Sequence, residues 1–99
     1  MKGHVDLLLL AALRREPLHG YAIVEHVRGA SHGALGLAEG TVYPALHRLE
    51  RTGLLASSWL TANGRRRRVY KLTARGRAQL ASEQSDWKTF SRAVEAVLA

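Results

Sequence analysis

Gly40-Thr41-Val42-Tyr43-Pro44-Ala45-Leu46-His47-Arg48-Leu49-Glu50 is followed, after a gap of thirteen residues, by Gly64-Arg65-Arg66-Arg67-Arg68 and then Val69-Tyr70-Lys71-Leu72-Thr73. The first stretch has the spacing of an amphipathic helix, with Val42, Ala45, Leu46 and Leu49 inward and Thr41, Tyr43, His47, Arg48 and Arg51 outward. Pro44 fits only near a helix start, so this helix begins close to Glu39 or Thr41. Gly53 closes it, and Leu54-Leu55 enters a strand. Asn63-Gly64 between two β-rich runs is a strong hairpin signal, because a type I′ turn needs positive φ at both positions. A two-residue turn pairs Thr61 with Arg66 and Trp59 with Arg68, and Tyr70 and Leu72 continue that face. A short helix, a hairpin and four arginines just past its tip outline a winged-helix DNA-binding module. Such a helix suits the major groove, and such a wing suits the phosphates beside it.

Charge supports the same outline. No carboxylate occurs between Glu50 and Glu83, whereas Arg51, Arg65, Arg66, Arg67, Arg68, Lys71, Arg75 and Arg77 all lie there. Most of the formal charge of +7 is therefore local. Ninety-nine residues make one domain. A chain of this size buries only about two-thirds of its unfolded surface, so it gains from a partner. At 46% hydrophobic it is not a disordered basic tail. The absence of cysteine excludes disulfides and thiolate metal sites. Lys2 precedes an apolar run from Leu7 to Leu13, but Asp6 interrupts its start and Arg14-Arg15-Glu16 follow at once, which excludes a secretory signal. The run also falls short of the roughly 20 apolar residues of a membrane span. The expectation is a soluble cytoplasmic domain with no membrane partner.

Outward from the deciding stretch, residues 5–15 read as a first helix, with Val5, Leu8, Leu9, Ala12 and Leu13 at helical spacing and Leu7 and Leu10 on its flanks. Glu16-Pro17 ends it. A second helix runs over residues 20–28, with Gly29 as its stop, and residues 30–37 form a connector. Thr73 caps a long last helix over residues 74–98, in which Leu80, Trp87 and Val94 recur every seven positions beside Phe90, Val97 and Leu98. The fold class is mainly α with a small β hairpin: a winged helix-turn-helix over residues 1–73 and a long C-terminal helix over residues 74–99, in one compact domain.

Each candidate group also has a structural reading. The arginine run could merely protect a hairpin edge, but four arginines exceed that need, and arginine binds phosphate in a bidentate way. Tyr43 is one residue from inward-facing Val42, which turns it outward toward phosphate or base. His47 reads equally as a DNA contact or a solvated residue, whereas Arg48 has the chemistry of a base reader. Trp59 covers the wing base beside Arg68, a cation–π arrangement. His4, His19, His26, His32 and His47 show no metal-ligand spacing, although His19 and His26 lie seven apart. No phosphate loop, nucleophile elbow or carboxylate pair is present. We therefore expect no metal, no cofactor and no catalysis.

In combination, Leu18-His19-Gly20-Tyr21, residues 40–46 with Arg48-Leu49-Glu50, Gly53-Leu54-Leu55, Arg68, Tyr70, Leu72-Thr73 and Gly76 resemble the PadR family of bacterial transcriptional regulators, over nearly the whole chain. The resemblance implies a homodimeric repressor of the compact branch, with one dimerisation helix packed on the first helix. The implied dimer interface comprises Leu7, Leu10, Leu80, Trp87, Phe90, Val94, Val97 and Leu98. The implied double-stranded DNA operator is pseudo-palindromic. Its expected contacts are Thr41, Tyr43, Pro44, His47, Arg48 and Arg51 on the helix, with Asn63, Gly64 and Arg65 to Arg68 on the wing. A tryptophan at the place of Trp87 lines an apolar cavity between protomers in some members and stacks planar ligands. Trp87 and Phe90 therefore read either as dimer core or as the wall of a small-molecule effector pocket. Ala38-Glu39 departs from the Ser-Pro of many members, so the start of the recognition helix lacks a capping side chain and either frays or is held by Thr41. Two rival functions share these features: a sequence-neutral nucleic-acid-binding protein and a small-molecule or metal sensor acting through protein partners.

Overall fold

Seven elements follow one another in a computed structural model that describes residues 4–99; residues 1–3, Lys2 among them, lie outside the described residues. They are α1 (Val5–Ala12), β1 (Leu18–His19), α2 (Gly20–Ala30), α3 (Glu39–Arg51), β2 (Leu55–Ala62), β3 (Arg65–Leu72) and α4 (Ala74–Leu98). The sheet is antiparallel with order β1-β3-β2.

One core joins all the helices to the base of the sheet. It is built from Leu9, Leu10 and Leu13 within and after α1, Ile23, Val24 and Val27 of α2, and Val42, Leu46 and Leu49 of α3. Leu55, Tyr70 and Leu72 close it from the sheet and Leu80 from α4. The inward face expected of α3 is the buried one: Val42, Ala45, Leu46 and Leu49 are all enclosed. The valine and the two leucines each contribute about 1.5–3 kcal/mol by leaving water. Leu46→Ala, at the centre, would cost about 2–5 kcal/mol.

The hairpin has the expected register, with Thr61 opposite Arg66 and Trp59 opposite Arg68. Asn63 and Gly64 take φ of 53° and 75°, the left-handed pair that the turn requires. Thr73 caps α4 by accepting the Gly76 N–H at 3.0 Å, and its hydroxyl donates to the Gly53 carbonyl at 2.7 Å. The end of α3 and the start of α4 are thus fastened to each other. At the start of α3 no side chain caps, Thr41 included; the Ala38 carbonyl instead accepts the N–H groups of Thr41 and Val42.

Four expectations need correction. Helix α1 ends at Ala12 and not at residue 15, because the chain tightens into three-residue turns, Leu13 N–H to Leu10 and Arg14 N–H to Ala11, before Pro17. Helix α2 continues through Gly29, and its left-handed exit comes later, at His32 and Gly33. The sheet has a third strand, since Leu18 and His19 pair with Tyr70 and Val69. Two residues carry no readable period, so that strand was invisible in sequence. Finally, Leu10 and Leu80, expected at a dimer interface, are buried in this chain's own core, Leu80 keeping 6% exposure.

Helix α4 spans about 37 Å at 1.5 Å per residue, yet only Gly76 and Leu80 near its start are buried. Beyond them Trp87, Phe90, Val94, Val97 and Leu98 are exposed, with α1 packed alongside the proximal part.

Candidate nucleic-acid interface

Helix α3 is the centre of the candidate interface. At 100° per residue, Gly40, Pro44, His47 and Arg51 occupy the middle of its solvent face, and Tyr43 and Arg48 lie on opposite edges about 140° apart. All six are exposed, and so is Thr41, which shares the Arg48 edge. The face read from the sequence as one surface therefore has two margins with different neighbours.

Tyr43 leans toward α2 and the wing. Its ring lies on Gly20, where a Cβ would come within 2.6 Å of the ring, so only glycine admits this contact. The ring stays 39% exposed and helps line a notch with His19, Gly20, Tyr21 and the four wing arginines. Arg48 leans the other way, toward α1. Its guanidinium donates to both Asp6 oxygens, at 2.9 and 2.7 Å, and this hydrogen bonding raises its pKa further. Arg48, expected to read bases, is thus held as a strut between two helices.

The wing arginines divide similarly. The Arg66 guanidinium lies 4.5 Å from the centre of the Trp59 ring and that of Arg68 lies 5.5 Å from it. Arg66 is therefore the nearer cation, although Arg68 is the cross-strand partner and was the one expected. Arg68 is drawn inward: its Nε donates to Ser57 Oγ at 2.9 Å, and that hydroxyl donates to Glu50 Oε2 at 2.6 Å. This chain ties the wing to the last turn of α3. Beneath it, burial raises the Tyr70 pKa, and the nearby Arg68 partly opposes that. Arg67 Nη1 lies 2.7 Å from His19 Nε2. Arg65, beside the turn, has no ion-pair partner among the described residues.

His19 borders the candidate interface, although the sequence singles it out only within the Leu18-His19-Gly20-Tyr21 motif. Its Nδ1 accepts the Ala22 N–H at 3.4 Å and caps α2. Burial, and then the charge of Arg67, lower its pKa. The signal lay in that motif, but nothing local to it names Arg67 as a neighbour. Among the described residues no group of histidines and carboxylates could hold a metal. His19 stands at the cap and does not share a helix face with His26.

A second polar cluster lies where α1 meets α4. Glu83 has one carboxylate oxygen buried without a partner among the described residues, and burial, followed by Asp6 and Asp86, raises its pKa. Beside it the His4 ring meets Trp87 edge-on at 5.1 Å, and Phe90 lies 6.1 Å from Trp87. Shallow hollows here are lined by His4, Leu7, Leu8, Leu35, Trp87 and Phe90.

Residues 9–82, which include the whole of α3, the wing and the start of α4, match the transcriptional regulator PadR-like family. The chain belongs to that family. Its relatives include transcriptional regulator Rv3488 of Mycobacterium tuberculosis, 40% identical over 90 residues that make up 85% of this chain and 83% of the relative. Among solved structures, a PadR family transcription regulator of Clostridium difficile is 28% identical with a TM-score of 0.85, over 98% of this chain and all of that one. A PadR family regulator of Eggerthella lenta is 34% identical with a TM-score of 0.82, over 98% of this chain and 83% of the other. This PadR-like chain is therefore a transcriptional regulator with a winged-helix fold. Among its described residues no helix is long and apolar enough to cross a membrane.

Proposed function

We propose that the chain is a cytoplasmic homodimeric repressor that binds a pseudo-palindromic DNA operator. The observation that carries this reading is the outer face of α3, exposed from Gly40 to Arg51 and flanked by the Arg65 to Arg68 wing. Pro44, His47 and Arg51 face the bases, Tyr43 and Thr41 the edges of the groove. Arg65, Arg66 and Arg67 hold flanking phosphates around the Asn63-Gly64 tip, and Arg68 orients the wing through Ser57 and Glu50. Dimerisation is supported by the stripe of Trp87, Phe90, Val94, Val97 and Leu98, which a lone chain leaves in water, with Leu7 of α1 beside it. A two-fold dimer presents two recognition helices to one face of the duplex, so half-sites lie about 10 bp apart or a multiple of it. Footprinting the promoter of its own gene tests this, and one unrepeated element bound by one protomer would contradict it. Competition by unrelated DNA separates the reading from sequence-neutral binding, since specific sites are favoured by about 10³-fold or more.

The half-exposed Trp87, with His4 against its edge and Phe90 nearby, favours a second role for the same dimer. A planar aromatic effector stacked there would alter the angle between the two long helices and the spacing of the recognition helices. Linkage then requires the effector to weaken DNA binding by the factor by which DNA weakens the effector. Titration with planar aromatics, following tryptophan fluorescence in wild type and Trp87→Leu, tests it. Quenching that survives loss of Trp87, or that never changes operator affinity, counts against this role.

A further inference from the structure

The His19–Arg67 contact contains a hydrogen-bonding conflict. A neutral imidazole offers one donor and one acceptor, and a guanidinium offers donors only. If His19 Nδ1 accepts the Ala22 N–H at 3.4 Å, Nε2 must carry the proton. That proton then faces the Arg67 Nη1 donor across 2.7 Å. If Nε2 instead accepts from Arg67, Nδ1 carries the proton and opposes the Ala22 N–H. Neither neutral tautomer satisfies both neighbours, and an imidazolium beside a guanidinium is worse.

An oxygen with free lone pairs resolves the conflict. Placed between the two side chains, it accepts from His19 Nε2–H and from Arg67 at once, and Nδ1 keeps its cap. On the side of the wing the surroundings favour an anion, because Arg65, Arg66 and Arg68 line the same notch without a carboxylate, whereas Glu16 and Glu25 line the other hollow that the pair borders. Tyr43, on the same wall, connects the notch to the edge of α3. We propose that the His19–Arg67 pair is a binding site for a DNA backbone phosphate, which separates the two side chains and accepts a hydrogen bond from each. The inference rests on the DNA-binding reading above and deepens it by assigning His19 a direct contact, with no part in base recognition.

His19→Asn tests the site in the full-length chain, since asparagine caps a helix as well as any residue but lacks the Nε2–H. Its affinity for operator and for a random-sequence duplex should fall together, by about 10-fold per protomer, as for removal of a hydrogen bond to a charged group. The slope of log affinity against log salt should stay at the wild-type value for His19→Asn and drop by about one per protomer for Arg67→Ala. Imidazole ¹⁵N spectra of the wild type provide a second measurement that needs no variant to fold. With the random duplex bound, Nε2 should carry the proton and Nδ1 should not. A folded His19→Asn with wild-type affinity, or a complex in which Nε2 is an acceptor, would overturn the site and leave DNA binding standing. A wild type that binds no duplex at any salt would remove the DNA-binding reading itself, and the site with it.

Discussion

Arg48 of α3 grips Asp6 of α1 through both carboxylate oxygens, at 2.7 and 2.9 Å, across 42 positions of sequence. The geometry is the bidentate fork that favours arginine over lysine. Both side chains are partly exposed, so the pair is worth only about 0.2–1 kcal/mol in stability. Its importance is positional. Helix α1 packs on α4, and Asp6 also faces Glu83 there, so a chain of charge runs from α3 to the long C-terminal helix.

A double-mutant cycle of Asp6→Asn and Arg48→Ala should therefore show coupling in operator affinity. If Arg48 acts by steadying α3 against α1, each single change costs a few-fold and the double change costs no more, a coupling of about 1 kcal/mol. Additive losses, with Arg48→Ala alone shifting base preference, would show that Arg48 leaves Asp6 to read DNA.

At the wing, Arg65→Ala and Arg66→Ala should weaken operator and random DNA alike. The salt slope should fall by about one unit for each phosphate that the variant no longer neutralises. Arg68→Ala should cost stability as well, because it strips Ser57 and Glu50 of their cation. Thermal melts beside salt titrations separate the two effects.

Gly20→Ala should displace Tyr43, whose ring a Cβ would meet at 2.6 Å. The ring can swing aside, and alanine favours helix over glycine by up to about 1 kcal/mol, so stability should change little. DNA affinity should drop several-fold. In a Tyr43→Ala background the same glycine change should have no further effect, and a persistent loss there would deny that Tyr43 transmits it.

Glu83→Gln should stabilise the protein at neutral pH. The folded chain holds the Glu83 proton more tightly than the unfolded chain, so stability declines as pH rises from the ordinary glutamate pKa of about 4.3 through the raised folded value. Glutamine removes that decline. The gain at pH 7 should stay under about 1 kcal/mol, because the group is partly solvated and screened, and it should vanish below about pH 4. Urea midpoints of the two proteins across this range would measure it, and parallel curves would contradict it.

Removing residues 83–99 should leave a poorly folded monomer. It strips Trp87 from His4 and uncovers α1, in a domain with only about 0.05–0.15 kcal/mol of stability per residue. Size-exclusion chromatography and circular dichroism would report this. A folded monodisperse monomer that still bound a palindrome would place dimerisation elsewhere.

Much of this architecture is written in local sequence. The inward face of α3, the Asn63-Gly64 turn with its register, and the Thr73 cap all depend on residues within one turn of helix or one hairpin. At that range periodicity, backbone preference and a capping hydroxyl suffice, and the family pattern rests on these same features. Periodicity separates inside from outside, but it does not say which neighbour meets each margin of the outside. That is why Tyr43, His47 and Arg48 read as one face, whereas packing turns Tyr43 onto Gly20 and Arg48 onto Asp6. Leu10 and Leu80 turn out to be buried within the chain for a related reason, since an apolar stripe does not distinguish a chain's own core from a partner's. Strand β1, whose pairs lie 50 and 52 positions apart, and the His19–Arg67 contact, 48 apart, required the chain to bring together distant segments. Local sequence thus determined the elements and their buried faces; tertiary packing decided which polar side chains face one another, because that depends on where α1 and α2 dock against α3 and the sheet.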